Sequence, residues 1–229
     1  MEEGRTNACR RAGGFSLPEV LVVISIIVIL AGLLFPVFSE ARVSAKSTSC
    51  ASNIGSLVKG VFLYASDYDD RFPAGKDCLD KYSAVGYSAE GLAKLRAEPL
   101  IPVVLDPYVR SADLYKCPLD SGLAVVESDF PTAATLTPTA FSACGMSYEY
   151  HTALGIEAVQ LSSLTNPASV VLLEDAAGHW HGFEPKADVK DDHASFAAKT
   201  RGYRYNIGFT DGHVKNVDYD VKESAWRAG

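Results

Sequence analysis

The chain has 229 residues, of which 48% are hydrophobic and 21% charged, and its formal net charge is −7. This acidic balance excludes a generally basic nucleic-acid-binding protein, because phosphate binding needs a surplus of lysine and arginine, and no basic run exceeds Arg10-Arg11. The length suits one medium-sized domain, or one domain with an accessory segment.

Much of the hydrophobic content lies near the N-terminus. Between Phe15 and Phe38, 18 of 24 residues are apolar, and Glu19 is the sole charged residue. About 20 apolar residues cross a bilayer core as a helix, so this segment predicts one membrane-length helix followed by a water-soluble head. No second apolar run approaches this length, which excludes a polytopic membrane protein. The arginines that precede the run predict a cytoplasmic N-terminus and an outward-facing head.

The residues around the start of the apolar run form a specific motif. A cleavable secretory signal would be cut after its apolar stretch, but here apolar residues continue beyond Ala31-Gly32. Instead, Gly14 precedes Phe15, Glu19 is the fifth residue counted from Phe15, and Pro36 is the twenty-second. This combination, behind an arginine-containing leader, resembles the type IV prepilin signature.

The resemblance implies a processing and assembly pathway. A prepilin peptidase of the inner membrane would cut after Gly14 and methylate the new amine of Phe15. The helix would then enter a filament, where Glu19 pairs with the N-terminal ammonium of a neighbouring subunit. The implied segments are a leader at 1–14, a transmembrane and filament-core helix at 15–38, and a head at 39–229. The alternative is a plain signal anchor, in which Glu19 only snorkels to the lipid headgroups.

The first predicted element is one long helix from Pro18 to Tyr68, bent near Pro36. Its second half carries apolar residues at helical spacing, which predicts one buried stripe. Residues 67–73 end the helix. The following segment, 73–140, contains many prolines and is predicted to be loop-rich, with a short helix at Ala89–Ala97. The stripe consists of Ile54, Leu57, Val58, Val61, Phe62, Ala65 and Tyr68.

Three strands are predicted in the C-terminal half. Ser169–Glu174 is rich in valine and leucine, as buried strands are. Tyr203–Phe209 and His213–Tyr219 flank Thr210-Asp211-Gly212, a hairpin turn signal in which Asp211 and Gly212 build the turn. One long helix followed by antiparallel strands predicts an α+β fold, and the resemblance implies the pilin fold with the helix packed on an antiparallel sheet.

The rest of the chain supports a narrower resemblance. The chain is similar to a large group of bacterial pilin-like proteins with the cleavage-methylation signature and a C-terminal Asp-Gly-His-Val hairpin. That group usually has a histidine with nine residues between it and the Asp-Gly pair. Counting back from Asp211 reaches Arg201 instead, which leaves the role of that position open. The matching pieces are residues 50–54, 64–73, 115–118, 166–168 and 209–214.

Four cysteines remain after the leader, which contains Cys9. An even number of cysteines in a head predicted to lie outside the cell favours two disulfides. Loop economy alone suggests Cys50–Cys78 and Cys117–Cys144, although sequence permits three pairings. A zinc site of four thiolates is the alternative, but the chain has no Cys-x-x-Cys pair.

The polar side chains suggest two candidate metal sites. Calcium is possible at the carboxylates of Asp67, Asp69 and Asp70, although the glycine and glutamate of an EF-hand loop are missing. The other site uses the histidines of His179-Trp180-His181, placed on one face of a strand. It would draw further ligands from Glu174, Asp175, Asp191, Asp192 and His193.

We expect no enzymatic activity and no cofactor, because no phosphate-binding loop, Gly-x-Ser-x-Gly or His-Glu-x-x-His pattern occurs. A nucleophile pair of Cys144 and His151 would lack an orienting third group. The predicted function is a structural subunit of a type IV pilus-like filament or a type II secretion pseudopilus. Its partners would be identical or related subunits, the prepilin peptidase and the membrane assembly machinery, with no nucleic acid. It would begin as an inner-membrane precursor and end at the cell surface or as a periplasmic pseudopilus. The competing hypothesis is a membrane-anchored exported module that binds a ligand or a metal.

Overall fold

The computed structural model describes residues 16–82, 89–125, 134–181 and 198–226. The chain divides into two compact units, residues 1–42 and 43–229. One helix, α1 (Leu17–Asp67), contributes to both. Its bounds agree with the predicted helix to within one residue at each end.

In the first unit, α1 is an exposed apolar helix. Among the described residues it is the one helix long and apolar enough to cross a membrane, and its most hydropathic 18-residue window is 0% buried. The helix is continuous through position 36. The predicted bend near Pro36 stays a prediction.

In the second unit, α1 supplies the predicted apolar stripe. Ile54, Leu57, Val58 and Val61 are each 0% exposed, whereas Tyr68 at the end of the stripe is 52% exposed. Short elements follow in the segment that was predicted to be loop-rich. They are α2 (Cys78–Tyr82), α3 (Ala89–Ala97), α4 (Ile101–Val104), a 3-10 helix (Ala112–Tyr115), β1 (Leu123–Val125), β2 (Ala134–Leu136) and α5 (Ala140–Cys144).

A four-stranded antiparallel sheet with the order β3-β4-β5-β6 forms the rest of the head. Its strands are β3 (Tyr148–Tyr150), β4 (Val171–Asp175), β5 (Arg204–Phe209) and β6 (Val214–Asp218). The short helices between β3 and β4 are α6 (Thr152–Ile156) and two 3-10 turns, Leu161–Ser163 and Pro167–Ser169. Another 3-10 turn, Gly178–His181, follows β4, and α7 (Tyr219–Trp226) follows β6. A long helix with an antiparallel sheet confirms the α+β class and is consistent with a pilin fold.

The two faces of the sheet pack against different helices. Gly208 of β5 faces α1 at close range, because a Cβ there would lie 2.7 Å from side-chain carbons of Ile54 and Val58. Its strand neighbours Ile207 and Phe209 belong instead to a separate apolar cluster that includes Ala225 of α7. The head therefore has three layers, with the C-terminal half of α1 on one side of the sheet and α7 on the other.

The predicted hairpin is present. β5 and β6 pair in regular antiparallel register from Arg204↔Asp218 to Gly208↔Val214. Gly212 in the turn has φ of 96°, a conformation that glycine adopts without strain. The predicted strand Ser169–Glu174 begins two residues late, because Pro167–Ser169 forms a 3-10 turn. Strand β3 and helix α7 were not predicted from the sequence.

Candidate functional site

The N-terminal end of α1 is organised by Ser16 and Glu19. Glu19 Oε2 accepts hydrogen bonds from the backbone N of Ser16 at 2.9 Å and from its hydroxyl at 2.7 Å. This is half of a capping box, and it satisfies an N–H group that the first helical turn leaves unpaired. The carboxylate therefore lies at the solvent-exposed start of the helix. Gly14 and Phe15 lie outside the described residues.

The helix beyond Glu19 exposes large apolar side chains on all sides. From Val20 to Phe38 their exposed fractions run from 48% for Val20 to 73% for Phe35. A continuous apolar surface of this size requires either lipid or other apolar helices around it. Ser25, the polar residue within the run, satisfies its own hydroxyl by donating to the carbonyl of Leu21 at 2.7 Å. This leaves Glu19 as the ionisable group of the described apolar segment.

The cysteines pair differently from the prediction. The structure joins Cys50 to Cys117 and Cys78 to Cys144, so the pairing suggested by loop economy is wrong. The physical reason is that distant segments meet in the fold. The segment that contains Cys117 crosses α1, where Asn53 Nδ2 donates to the carbonyl of Lys116 at 3.0 Å. The two disulfides link pairs of segments rather than gathering four thiolates into one zinc site, and they include Cys144, the suggested nucleophile.

Two of the predicted metal-ligating side chains, Asp175 and His181, meet in the interior. His181 Nε2 lies 2.9 Å from Asp175 Oδ2, and both side chains are 0% exposed. His181 Nε2 also lies 3.7 Å from the sulfur of Cys117. One donor atom from each of Cys50, Cys117, Asp175 and His181 lies within 4.8 Å of the others. This buried cluster contains the Cys50–Cys117 disulfide on one side and the His181–Asp175 pair on the other.

The other histidine and acidic residues of that hypothesis lie elsewhere. Residues 178–181 form a 3-10 turn rather than a strand, so His179 and His181 do not share a strand face as predicted. The ring of His179 instead packs against Tyr203, with centroids 5.6 Å apart. Asp191, Asp192 and His193 lie outside the described residues.

Glu174 faces the opposite side of the sheet from Asp175, as adjacent residues of a strand do. There it pairs with Lys222 of α7, whose Nζ lies 3.1 Å from Glu174 Oε1. Burial raises the pKa of Glu174, and Lys222 partly opposes that shift. Burial also disfavours the charge of Lys222, but the nearby carboxylates, Glu174 foremost, outweigh it and hold the pKa of Lys222 well above its ordinary value.

The sequence predicts a long apolar N-terminal helix, and the structure contains one. A comparison with protein families matches the same segment. The model of the prokaryotic N-terminal methylation motif matches residues 9–35. The chain carries a prepilin signature. Comparison with curated proteins and with solved structures gives no significant match. The matched range includes Gly14, Phe15 and Glu19, and it ends just before Pro36.

The prepilin signature indicates a precursor that is held in the inner membrane and later exported. The exposed apolar half of α1 fits that state, because lipid would cover it there.

Two of the three carboxylates of the calcium hypothesis accept hydrogen bonds from separate partners. Asp67 Oδ2 accepts from the hydroxyl of Tyr108 at 2.8 Å, and Asp70 Oδ2 accepts from the backbone N of Ser162 at 2.8 Å. The hydrogen bonds from Ser162 lower the pKa of Asp70. Asp69 and Asp70 have φ of 53° and 62°, so both lie in the left-handed region just after the helix. Calcium at Asp67, Asp69 and Asp70 stays a prediction.

The Asp-Gly turn of the hairpin has the role expected of such a turn. Asp211 Oδ1 accepts from the backbone N of His213 at 3.1 Å and contacts its ring Nδ1 at 2.6 Å. Arg201 lies in the exposed turn before β5, where Tyr203 N donates to the carbonyl of Thr200 at 3.0 Å.

Sequence reasoning missed two carboxylate centres of the head. Asp120 accepts four hydrogen bonds, and a signal for it was present in the Asp-Ser-Gly turn at 120–122. Asp77 and Asp80 cap α2 reciprocally, since each accepts from the backbone N of the other. Asp77 also accepts from the backbone N of Tyr150 at 2.9 Å, which ties α2 to strand β3.

Proposed function

We propose that this chain is a structural subunit of an extracellular type IV pilus-like filament or of a type II secretion pseudopilus. The observation that carries the proposal is the prepilin signature at residues 9–35, joined to a helix whose apolar side chains are exposed throughout its first half. Such a helix is suited to exchange a lipid environment for a bundle of identical helices, because both bury the same apolar surface. The subunit would have no reaction of its own.

Processing comes first in the proposed pathway. A prepilin peptidase hydrolyses the peptide bond after Gly14, which removes the leader and exposes the amine of Phe15. Methylation keeps that amine basic. The processed subunit then remains anchored in the inner membrane, with its head outside the cytoplasm, until the assembly machinery binds it.

Glu19 determines the axial offset at which neighbouring helices pack during assembly. In the isolated chain its carboxylate is held at the helix start by Ser16. In the apolar helix bundle of a filament, an unpaired carboxylate or ammonium would cost several kcal/mol. Pairing Glu19 of one subunit with the Phe15 amine of its neighbour avoids that cost only at one axial offset, so the ion pair selects a single register.

The first experiment is mass spectrometry of the N-terminus of the protein from its native host. We expect peptides that begin at methylated Phe15, because cleavage follows Gly14. Gly14→Val should leave the precursor uncut. An intact Met1, or a cut after residue 30, would contradict the proposal and favour the membrane-anchored binding module.

The second experiment separates assembly from insertion. Glu19→Val is expected to remain in the membrane fraction, because it makes the helix more apolar, but to form no filaments. Ser25→Val is the matched control, since Ser25 bonds within its own helix and should not be needed between subunits. Cell-surface or periplasmic filaments would be imaged and their subunit identified. Normal filaments from Glu19→Val would refute the register role.

A further inference from the structure

The buried cluster of Cys50, Cys117, Asp175 and His181 has the composition of a metal site. Its members come from four separate segments: α1, the loop after Tyr115, the end of β4, and the 3-10 turn that follows β4. Counted over whole residues, their exposed fractions are 0%, 1%, 0% and 8% in that order. One donor atom from each lies within 4.8 Å of the others, which brings two sulfurs, one imidazole nitrogen and one carboxylate oxygen together.

When the two cysteines form a disulfide, some polar side-chain atoms of the cluster have no hydrogen-bond partner among the described residues. Asp175 Oδ2 is well satisfied, because it accepts from the backbone N of Asn206 at 2.7 Å and faces His181 Nε2 at 2.9 Å. Within the described part of the chain, Asp175 Oδ1 and His181 Nδ1 have no hydrogen-bond partner. Both are fully buried, and burying an unpaired polar atom is unfavourable. The cluster thus contains potential metal-ligand atoms of Asp175 and His181 in addition to the two sulfurs that form the disulfide.

We propose that, when Cys50 and Cys117 are reduced, these two residues together with Asp175 and His181 bind one Zn²⁺ ion in a closed tetrahedral site. Zinc is the metal class that fits, because it accepts thiolate, imidazole and carboxylate ligands in one tetrahedron. Since all four ligands come from the protein and are buried, the site is structural rather than catalytic. The metal and the disulfide are alternative cross-links between the same segments. This inference does not depend on whether the chain assembles into a filament.

Metal binding has a defined proton balance. Each thiol loses its proton as its sulfur binds the metal, so two protons are released to solvent for each Zn²⁺ bound. His181 binds through Nε2 in its neutral form, with its proton on Nδ1, which has no partner in the described structure. The contact between Nε2 and Asp175 then opens, and the carboxylate becomes the fourth ligand.

Oxidation reverses the process. An oxidised dithiol protein of the export compartment takes two electrons from the two thiolates. The sulfurs of Cys50 and Cys117 join, the oxidant's disulfide is reduced to two thiols with two protons from solvent, and Zn²⁺ leaves. Reduction of the chain by a dithiol restores the metal-binding form.

The test uses the full chain in detergent, reduced without oxygen and titrated with Co²⁺ as a spectroscopic stand-in for zinc. We expect one Co²⁺ per chain, with the intense visible bands of a tetrahedral ion and a thiolate-to-cobalt band in the near ultraviolet. Zn²⁺ should displace it. The oxidised chain should give neither band. A reduced chain without these bands overturns the proposal.

Alkylation of the same wild-type protein supplies an internal control. In the reduced chain, Zn²⁺ should slow alkylation of Cys50 and Cys117 by about an order of magnitude or more, because a thiolate bound to the metal is not free to act as a nucleophile. Cys78 and Cys144 should react at the same rate with and without the metal. Equal protection of all four cysteines, or protection of none, overturns the assignment.

Variants then test the individual ligands. Asp175→Asn and His181→Gln should each weaken Co²⁺ binding by ~10-fold or more and alter the visible bands. The double variant Cys78→Ser/Cys144→Ser is the matched control, because it removes the other disulfide and should keep the spectrum. Binding that survives in Cys50→Ser/Cys117→Ser contradicts the proposed ligand set.

Discussion

Asp120 illustrates how single carboxylates hold the loops of the head. Its Oδ1 accepts from the backbone N of Gly122 and Ala140, and its Oδ2 accepts from the backbone N of Phe141 and the hydroxyl of Ser147. One side chain thus accepts hydrogen bonds from three stretches of chain, at donors that no neighbouring strand pairs. Backbone N–H groups left unpaired in such a place cost stability.

We therefore expect Asp120→Ala to lower the free energy of unfolding by about 2–4 kcal/mol, since three backbone donors lose their acceptor. Chemical denaturation of the full chain in detergent measures the change. Asp113→Ala, at an exposed position of the nearby 3-10 helix, is the control and should cost less than about 0.5 kcal/mol. Equal effects of the two variants would show that Asp120 does not organise the loops.

Asp77 gives the head a pH dependence. Burial, followed by the nearby carboxylate of Asp80, raises the pKa of Asp77 from its ordinary value of 3.8 to about 8. Between those two values the folded chain holds a proton that the unfolded chain has lost. Stability contributed by this group is complete below the lower value, falls as pH rises through the interval, and is constant above the upper value.

The expected result is a free energy of unfolding that falls between about pH 4 and pH 8, by at most ~1.4 kcal/mol per pH unit from this group. Asp77→Asn should flatten that slope, whatever its effect on absolute stability. Asp106→Asn, at an exposed position, should leave the slope unchanged. Denaturation curves at several pH values provide the measurement, and a slope that Asp77→Asn does not alter would refute this assignment.

Among the elements, helix α7 adds an ion pair and ring contacts to the apolar packing of Ala225 on the sheet. The Lys222 side chain is 16% exposed and lies over the rings of Tyr205 and Trp226, 5.5 Å and 5.6 Å from their centroids. Trp226 in turn stacks on His151 with centroids 4.7 Å apart. Since Glu174 is 0% exposed, its charge is compensated mainly by Lys222.

Replacing Lys222 by methionine keeps the apolar stem but removes the charge. We expect Lys222→Met to destabilise the head by about 3–5 kcal/mol, because it leaves a buried carboxylate without its cation. Adding Glu174→Gln should recover most of that loss. Hydrogen exchange of α7 and chemical denaturation check this, with Lys215→Met, at an exposed position of β6, as the control. Failure of the second substitution to restore stability would mean that the loss does not come from the uncompensated charge of Glu174.

At the scale of the whole molecule, the chain combines a helix built for apolar surroundings with a cross-linked head. The two disulfides close segments separated by 67 and 66 residues. Cross-links over such distances restrict the unfolded chain strongly and contribute about 2–4 kcal/mol each. They suit a head whose core strands are short and whose connections are long.

Non-reducing peptide mapping of the oxidised protein should give fragments that join Cys50 to Cys117 and Cys78 to Cys144. Replacing either pair by alanines should lower the free energy of unfolding by about 2–4 kcal/mol. A fragment that joins Cys50 to Cys78 would instead support the pairing that loop length suggested. A reduced digest is the reference for the mapping, and the oxidised wild-type protein is the reference for the unfolding measurement.

Features that depend on neighbours along the chain could be predicted from the sequence. The prepilin motif, the long helix, its buried stripe from Ile54 to Val61, the helix at Ala89–Ala97 and the β5–β6 hairpin all follow from local spacing. The physical reason is that a helix face, a turn and a peptidase motif each involve residues within a few positions of one another.

Contacts between residues far apart in the chain depend on the packing of the whole head. Cys50 pairs with Cys117 because the segment around Lys116 crosses α1, which no loop-length argument contains. Asp175 and Glu174 are adjacent in sequence, yet one faces the buried cysteines and the other faces Lys222, because a strand turns successive side chains to opposite faces. Composition showed acidic residues and cysteines, but the packing of helices on both sides of the sheet determined their partners.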